Sequence, residues 1–255
     1  MPRGTRWSQS LRRPGPLTQL KQEYRDRLDI VLLDLVKPES IAAAVEGAFQ
    51  RHGRIDVIVS NAAYGLFGAA EELTNEEIDR QIATNLTGSI HLIRAALSRL
   101  RLQGGGRIVQ VSSEGGQIAY PGFSLYHATK WGIEGFLESV AQEVAPFGID
   151  IIIAEPGPTG TNFGANLVSA TPMDIYDDTP AGAVRRAITG GSFEIKGDAA
   201  RTVSAIISAA ESEKPPLRLT LGSTAYSSIS HALSARLSAL EAQRDVADSV
   251  DRQDL

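Results

Sequence analysis

The chain has 255 residues, 42% of them hydrophobic and 22% charged, enough for one sizeable α/β domain with a buried core and not the composition of a disordered protein. A formal net charge of −5 excludes a general electrostatic pull toward nucleic acid or an acidic membrane surface, and the absence of cysteine excludes disulfides, thiolate metal sites and cysteine nucleophiles. The four histidines, His52, His91, His127 and His231, lack metal-ligand spacing, no apolar run approaches the ~18 residues of a membrane helix, and no secretory signal is visible. The expectation is a cytoplasmic protein with no metal, membrane or nucleic-acid partner.

Residues 1–27 carry seven Arg or Lys against Glu23 and Asp26. Such a start can resemble an organelle transit peptide; the alternative is a strand over Arg6–Leu11 followed by basic residues. Asp29–Leu33 has strand length and ends at Asp34. Pro38 opens a helix through Ala48 and Phe49 that Gly53 closes. Asp56–Ser60 is the next buried strand, ending at Asn61. Thr74 and Glu77 form a capping box whose helix is expected to run to about Leu100. After a turn at Gly104–Gly106, Arg107–Val111 is a strand ending at Ser112 and Ser113. Residues 124–145 form a long helix, and Ile149–Ala154 a strand ending at Glu155, Pro156 and Gly157. Leu217–Leu221 is a late strand, followed by an amphipathic stretch from Ile229 to Leu240 and a frayed acidic tail over 241–255.

No linker or repeat divides the chain, so 1–255 reads as one domain. Strand–helix alternation with nearly continuous apolar strands implies an α/β fold: a three-layer, Rossmann-like, doubly wound parallel sheet with helices on both faces. Such sheets bind ligands beyond the carboxyl ends of their strands. Asp34, Asn61, Ser113 and the Pro156-Gly157 turn all fall at those ends, which argues for one site independently of any motif.

Tyr126 and Lys130 lie four residues apart on one helix face, and Ser113 stands thirteen residues before Tyr126 at a strand end. The chemistry that fits is hydride transfer with proton exchange at a carbonyl or alcohol. A free phenol has a pKa near ~10, too high for acid–base work at neutral pH, and a nearby ammonium lowers it. Ser113 can hydrogen-bond the substrate oxygen as charge develops. Taken alone, Tyr-x-x-x-Lys is more often a surface pair, Asn85 a satisfied helix residue, and Asp34 a solvated turn residue. His127 and Trp131 read as packing or pocket-wall residues, Ser112 as structural, and Glu114 as solvated.

The sequence resembles the short-chain dehydrogenase/reductase family in its single-domain form. The motifs are Asp34-Leu35, Ser60-Asn61-Ala62-Ala63, Ile82-Ala83-Thr84-Asn85-Leu86-x-Gly88, Val111-Ser112-Ser113, Tyr126-His127-Ala128-Thr129-Lys130 and Glu155-Pro156-Gly157-Pro158-Thr159-Gly160-Thr161. The resemblance implies Tyr126 as general acid/base, Lys130 as pKa-lowering group and ribose contact, Ser113 as oxyanion stabiliser and Asn85 as anchor of a relay water. It implies cofactor contacts from Asp34, Leu35, Asn61, Ala62, Tyr126, Lys130, Pro156, Gly157, Thr159 and Thr161.

The family's Thr-Gly-x-x-x-Gly-x-Gly phosphate motif does not precede Leu28. Residues 3–20 resemble instead the family's second strand and following loop, where Arg12 and Arg13 would pair a 2′-phosphate; NADP(H) is therefore favoured over NAD(H). The first strand and helix are missing on this reading, which would leave neighbouring strand edges unpaired. An incomplete start is favoured over a true truncation. Residues 161–197 occupy the substrate-loop position, and Phe163, Leu167, Pro172, Met173, Ile175, Tyr176 and Phe193 there suggest a hydrophobic carbonyl or alcohol, with ordinary packing as the alternative. The helix over 124–145 is apolar on two sides, which suggests burial on both, and the resemblance implies a homodimer or homotetramer built on that helix. The competing functions are a catalytically impaired binding or regulatory protein of the same fold and a nucleotide-sugar epimerase or dehydratase.

Overall fold

A computed structural model describes residues 6–11, 17–192 and 194–252. In chain order the elements are β1 (Trp7–Leu11), α1 (Thr18–Tyr24), β2 (Leu28–Leu32), α2 (Pro38–His52), β3 (Val57–Ser60), β4 (Leu66–Phe67), α3 (Asn75–Ile82), α4 (Gly88–Leu102), β5 (Gly106–Val111), α5 (Ser124–Val144), β6 (Ile149–Pro156), β7 (Val168–Ser169), α6 (Pro180–Thr189), α7 (Ala199–Glu211), β8 (Arg218–Leu221), α8 (Ser223–Glu241) and α9 (Arg244–Ser249).

All strand pairs are parallel. The main sheet has the order β3-β5-β6-β8, β1 pairs with β2, and β4 pairs with β7. Ile108 and Val109 on β5 and Ile151, Ile152, Ile153 and Ala154 on β6 are buried without alternation, because helices cover both faces. Ile41, Val45 and Phe49 of α2 pack with Ile93 and Leu100 of α4 and with Ile133, Leu137, Val140 and Val144 of α5 in one core. This is the expected Rossmann-like α/β architecture. Among the described residues no ladder joins β1–β2 to β3, and Val57 and Val59 on β3 are 37% and 51% exposed.

Pro38 stands in the first turn of α2, and Gly53 ends it with φ 73°, a conformation that a Cβ would strain. The Thr74 capping box forms as expected, Thr74 Oγ1 accepting from Glu77 N–H and Glu77 accepting from Thr74 N–H. The helix it opens is not uniform: residues Ala83–Thr87 form a π-helical turn between α3 and α4. Elements not anticipated from sequence are α1, α6, α7 and the β4–β7 pair. The sequence cues for α6 and α7, Thr179 before Pro180 and Asp198 before Arg201, sit inside a stretch dominated by Gly and polar residues. Beyond Glu241 the chain continues as the exposed helix α9.

Candidate active site

Strand β5 delivers Ser112 and Ser113 to the start of α5, which carries Tyr126 and Lys130 on one face. Ser113 is extended and caps the short turn Glu114–Gly116, its Oγ accepting from Gly115 N–H at 3.1 Å. That leaves its proton for the Tyr126 phenol, with which it hydrogen-bonds. Lys130 is 3% exposed; its Nζ donates to Val111 O at 3.0 Å and lies 5.6 Å from the Tyr126 ring centroid. Thus the three residues that the sequence singled out converge.

Their electrostatics favour neutral forms. Burial pushes the Tyr126 phenol up to about 12; the Ser113 hydrogen bond opposes this, while Glu114 and Glu134 add to it. Burial brings the Lys130 ammonium down to about 8, against the field of Glu134. The protein by itself therefore holds Tyr126 as the phenol at neutral pH, and desolvation outweighs every influence that would activate it.

Asn85 lies in the π-helical turn and is buried. Its Oδ1 accepts from Tyr64 N–H at 3.1 Å, and its Nδ2 donates to Tyr64 O at 2.8 Å and Thr129 Oγ1 at 3.5 Å. The amide thus clamps the loop after β3 to α5. A π turn re-aims the side chains that follow it, which is why such turns recur at functional sites.

At the neighbouring strand ends, Asp34 Oδ1 accepts from Val36 N–H at 3.2 Å, and Leu35 lies against the start of α4, where its backbone O would be 2.6 Å from a Cβ on Gly88. Asn61 and Ala62 are exposed. Gly157 N–H donates to Leu221 O at 3.0 Å, Thr159 Oγ1 to Gly157 O at 2.8 Å, and Thr161 Oγ1 accepts from Phe163 N–H at 3.2 Å, so the turn after Pro156 is tied to β8 and to the next segment. Arg12, Arg13 and Phe193 lie outside the described residues.

Of the other neighbours of Tyr126, Phe163 was expected in the substrate loop, whereas Phe123 was not assigned to the site from sequence. Phe163 lies 5.8 Å and Phe123 6.3 Å from Tyr126 between ring centroids, giving the phenol an aromatic surround. By contrast Ile175 is exposed, and Tyr176 hydrogen-bonds Glu71. His127 is a packing residue, as read: Nε2 accepts from Tyr120 N–H and Nδ1 bonds Gly115 O, both at 2.8 Å, which fixes the Nδ1–H tautomer. Trp131 is partly exposed, its ring under Arg236. Glu114 corrects the expectation of solvation: it is buried, accepts from Tyr120 Oη at 2.5 Å, and has its carboxyl pushed upward by that burial.

A sequence profile for short chain dehydrogenase matches residues 4–172. The chain is 34% identical over 213 residues to Oxidoreductase BOA17 of Botryotinia fuckeliana, covering 83% of this chain and 77% of that protein. It is 33% identical over 250 residues to Oxidoreductase calM of Penicillium decumbens, covering 93% and 82%. A crystal structure of a short-chain dehydrogenase from Streptomyces avermitilis overlays 97% of this chain and 91% of its own with a TM-score of 0.90 at 35% identity. The chain belongs to the short-chain dehydrogenase/reductase family, as a nicotinamide-dependent oxidoreductase acting on CH–OH and C=O groups.

Proposed function

We propose that the protein interconverts a carbonyl and an alcohol on a hydrophobic small molecule, using NADP(H) in preference to NAD(H). The observation that carries this reading is the convergence of Ser113, Tyr126 and Lys130 at one strand end, with Phe123 and Phe163 beside the phenol. The nicotinamide fits the residues present: Lys130 is almost fully buried yet uses one of three N–H donors on Val111 O, which leaves donors for ribose hydroxyls. When bound, it supplies or accepts the hydride.

The rest of the chemistry falls to the chain. In reduction Tyr126 Oη donates its proton to the substrate oxygen while Ser113 donates a hydrogen bond to the same oxygen. Lys130 favours the phenolate that remains. Asn85 holds the Tyr64 loop and anchors the relay water. Asp34, Leu35, Asn61 and Ala62 face the adenosine side; Pro156, Gly157, Thr159 and Thr161 form the nicotinamide turn. Arg12 and Arg13 pair the 2′-phosphate, the basis of the NADP(H) preference. The whole chain serves as one cytoplasmic nicotinamide-binding domain that self-associates through α5 as a dimer or tetramer.

The test is NADPH and NADH binding by calorimetry, together with NADPH consumption over a panel of hydrophobic ketones. Tyr126→Phe is expected to lower kcat by about 10²–10⁴-fold while NADPH binding stays within about twofold. Full turnover by Tyr126→Phe would overturn the reading. A second reading is a binding protein of the same fold without turnover. Tight NADPH binding with no reduction of any ketone would select it.

A further inference from the structure

Behind the site lies a buried ion cluster that no part of the proposed reaction uses. Arg218 on β8 donates through Nη1 to two carboxylates at once, Glu134 on α5 at 2.6 Å and Glu155 at the end of β6. Its Nε donates to Glu138 at 2.9 Å. The Glu134 and Glu155 side chains are 2% and 0% exposed, whereas Glu138 is 48% exposed. Leaving two buried carboxylates side by side without a cation would be costly, so their geometry depends on the guanidinium.

Each carboxylate then holds a different part of the site. Glu134 Oε1 accepts from Ser112 Oγ at 2.5 Å, and Ser112 is the residue before Ser113. Glu134 itself stands one helical turn beyond Lys130 and two beyond Tyr126. The Glu114–Gly116 turn runs against the same carboxylate, since a Cβ on Gly116 would fall 1.8 Å from Glu134 Oε1. Glu155 Oε1 accepts from Gln117 Nε2 at 2.9 Å and its Oε2 from Thr220 Oγ1 at 3.1 Å, and Glu155 is followed directly by Pro156 and Gly157.

We propose that Arg218 is a positioning residue: through Glu134 and Glu155 it fixes Ser113, the Tyr126–Lys130 face of α5 and the Pro156-Gly157 turn relative to one another. Arg218 reaches none of the reacting groups itself and acts only through the two carboxylates. The proposal rests on the roles assigned above to Ser113 and Tyr126.

The test uses the cofactor-free protein, with fluorotyrosine incorporated and the Tyr126 resonance assigned by its absence in Tyr126→Phe. The charged and titratable groups around Tyr126 are Lys130, Glu114, Glu134 and the His127 ring, and its hydroxyl partner is Ser113. Arg218→Met removes a positive charge from beside Glu134, whose field already opposes the Tyr126 phenolate. Loss of Arg218 and loosening of Ser113 therefore act in the same upward direction. Arg218→Met is expected to raise the Tyr126 midpoint by about half a pH unit or more. Ser112→Ala removes no charge and is expected to raise it as well; the double variant should rise by less than the sum, because both act through Glu134. Glu138→Gln, on the exposed side of the guanidinium, should leave it unchanged. If Arg218→Met does not fold, Arg218→Lys keeps the charge without the fork, and an upward shift is expected there too. A lower melting temperature with an unmoved Tyr126 midpoint, or shifts that add fully, would overturn the proposal. Ketone reduction by Tyr126→Phe would instead overturn the functional reading and leave this result standing.

Discussion

Lys130 carries its ammonium nearly out of reach of water, with one backbone carbonyl as its hydrogen-bond partner. Its folded-state pKa, about 8, lies below the unfolded value of 10.5, so between these values the unfolded chain binds the extra proton. Stability therefore rises with pH across that window, by about 3 kcal/mol at most, and the contribution is lost as pH falls through 8. Tyr126 acts in the opposite sense from pH 10 upward, because its folded pKa is raised to about 12. Urea unfolding of the cofactor-free protein at a series of pH values is expected to show the rise, and Lys130→Met to abolish it. A flat profile in the unmodified protein would mean that water reaches the ammonium. The spacing of Ser113, Tyr126 and Lys130 was legible in the sequence because a helix face and a strand end have fixed periods. Burial of Glu114 was not, since it does not follow from local period.

The π-helical turn Ala83–Thr87 is where an element's geometry, rather than a single side chain, shapes the site. It lets Asn85 reach both backbone groups of Tyr64 while α4 restarts at Gly88 against the end of β2. A Cβ on Gly88 would meet Leu35 O at 2.6 Å and Ala83 O at 3.0 Å, both backbone atoms that cannot swing aside. Gly88→Ala is expected to destabilise the fold by about 1–3 kcal/mol through this overpacking, read as a lower denaturation midpoint. Asn85→Ala leaves the Tyr64 N–H without its partner and the Tyr64 C=O with Gln81 Nε2 alone. It should cost about 1–3 kcal/mol and speed amide exchange in the loop after β3 more than in the core strands. Equal exchange throughout would show that Asn85 is not the clamp. From sequence this region read as one uninterrupted helix, because a single inserted residue barely disturbs the hydrophobic period; only its packing against Leu35 and Tyr64 reveals the insertion.

At the scale of the whole molecule, the described residues pair as three separate parallel sheets, and β3 is the edge strand of the largest, with Val57 and Val59 exposed. Such an edge is a template for unwanted pairing. Val59→Lys is expected to reduce light scattering at high protein concentration while shifting stability by no more than about 0.5 kcal/mol. A large loss of stability would show that Val59 is packed in solution. The sequence by itself determined the alternation of parallel strands and helices, the strand ends at which polar residues gather, and the Ser113, Tyr126 and Lys130 set, because these depend on periodicity and spacing along the chain. Tertiary structure alone decided which strands pair, that β3 is an edge strand among the described residues, that Phe163 comes to the phenol, and that Arg218 gathers Glu134 and Glu155 behind the site. Those contacts join residues far apart in sequence, and long-range burial and charge pairing leave no periodic signal in the chain.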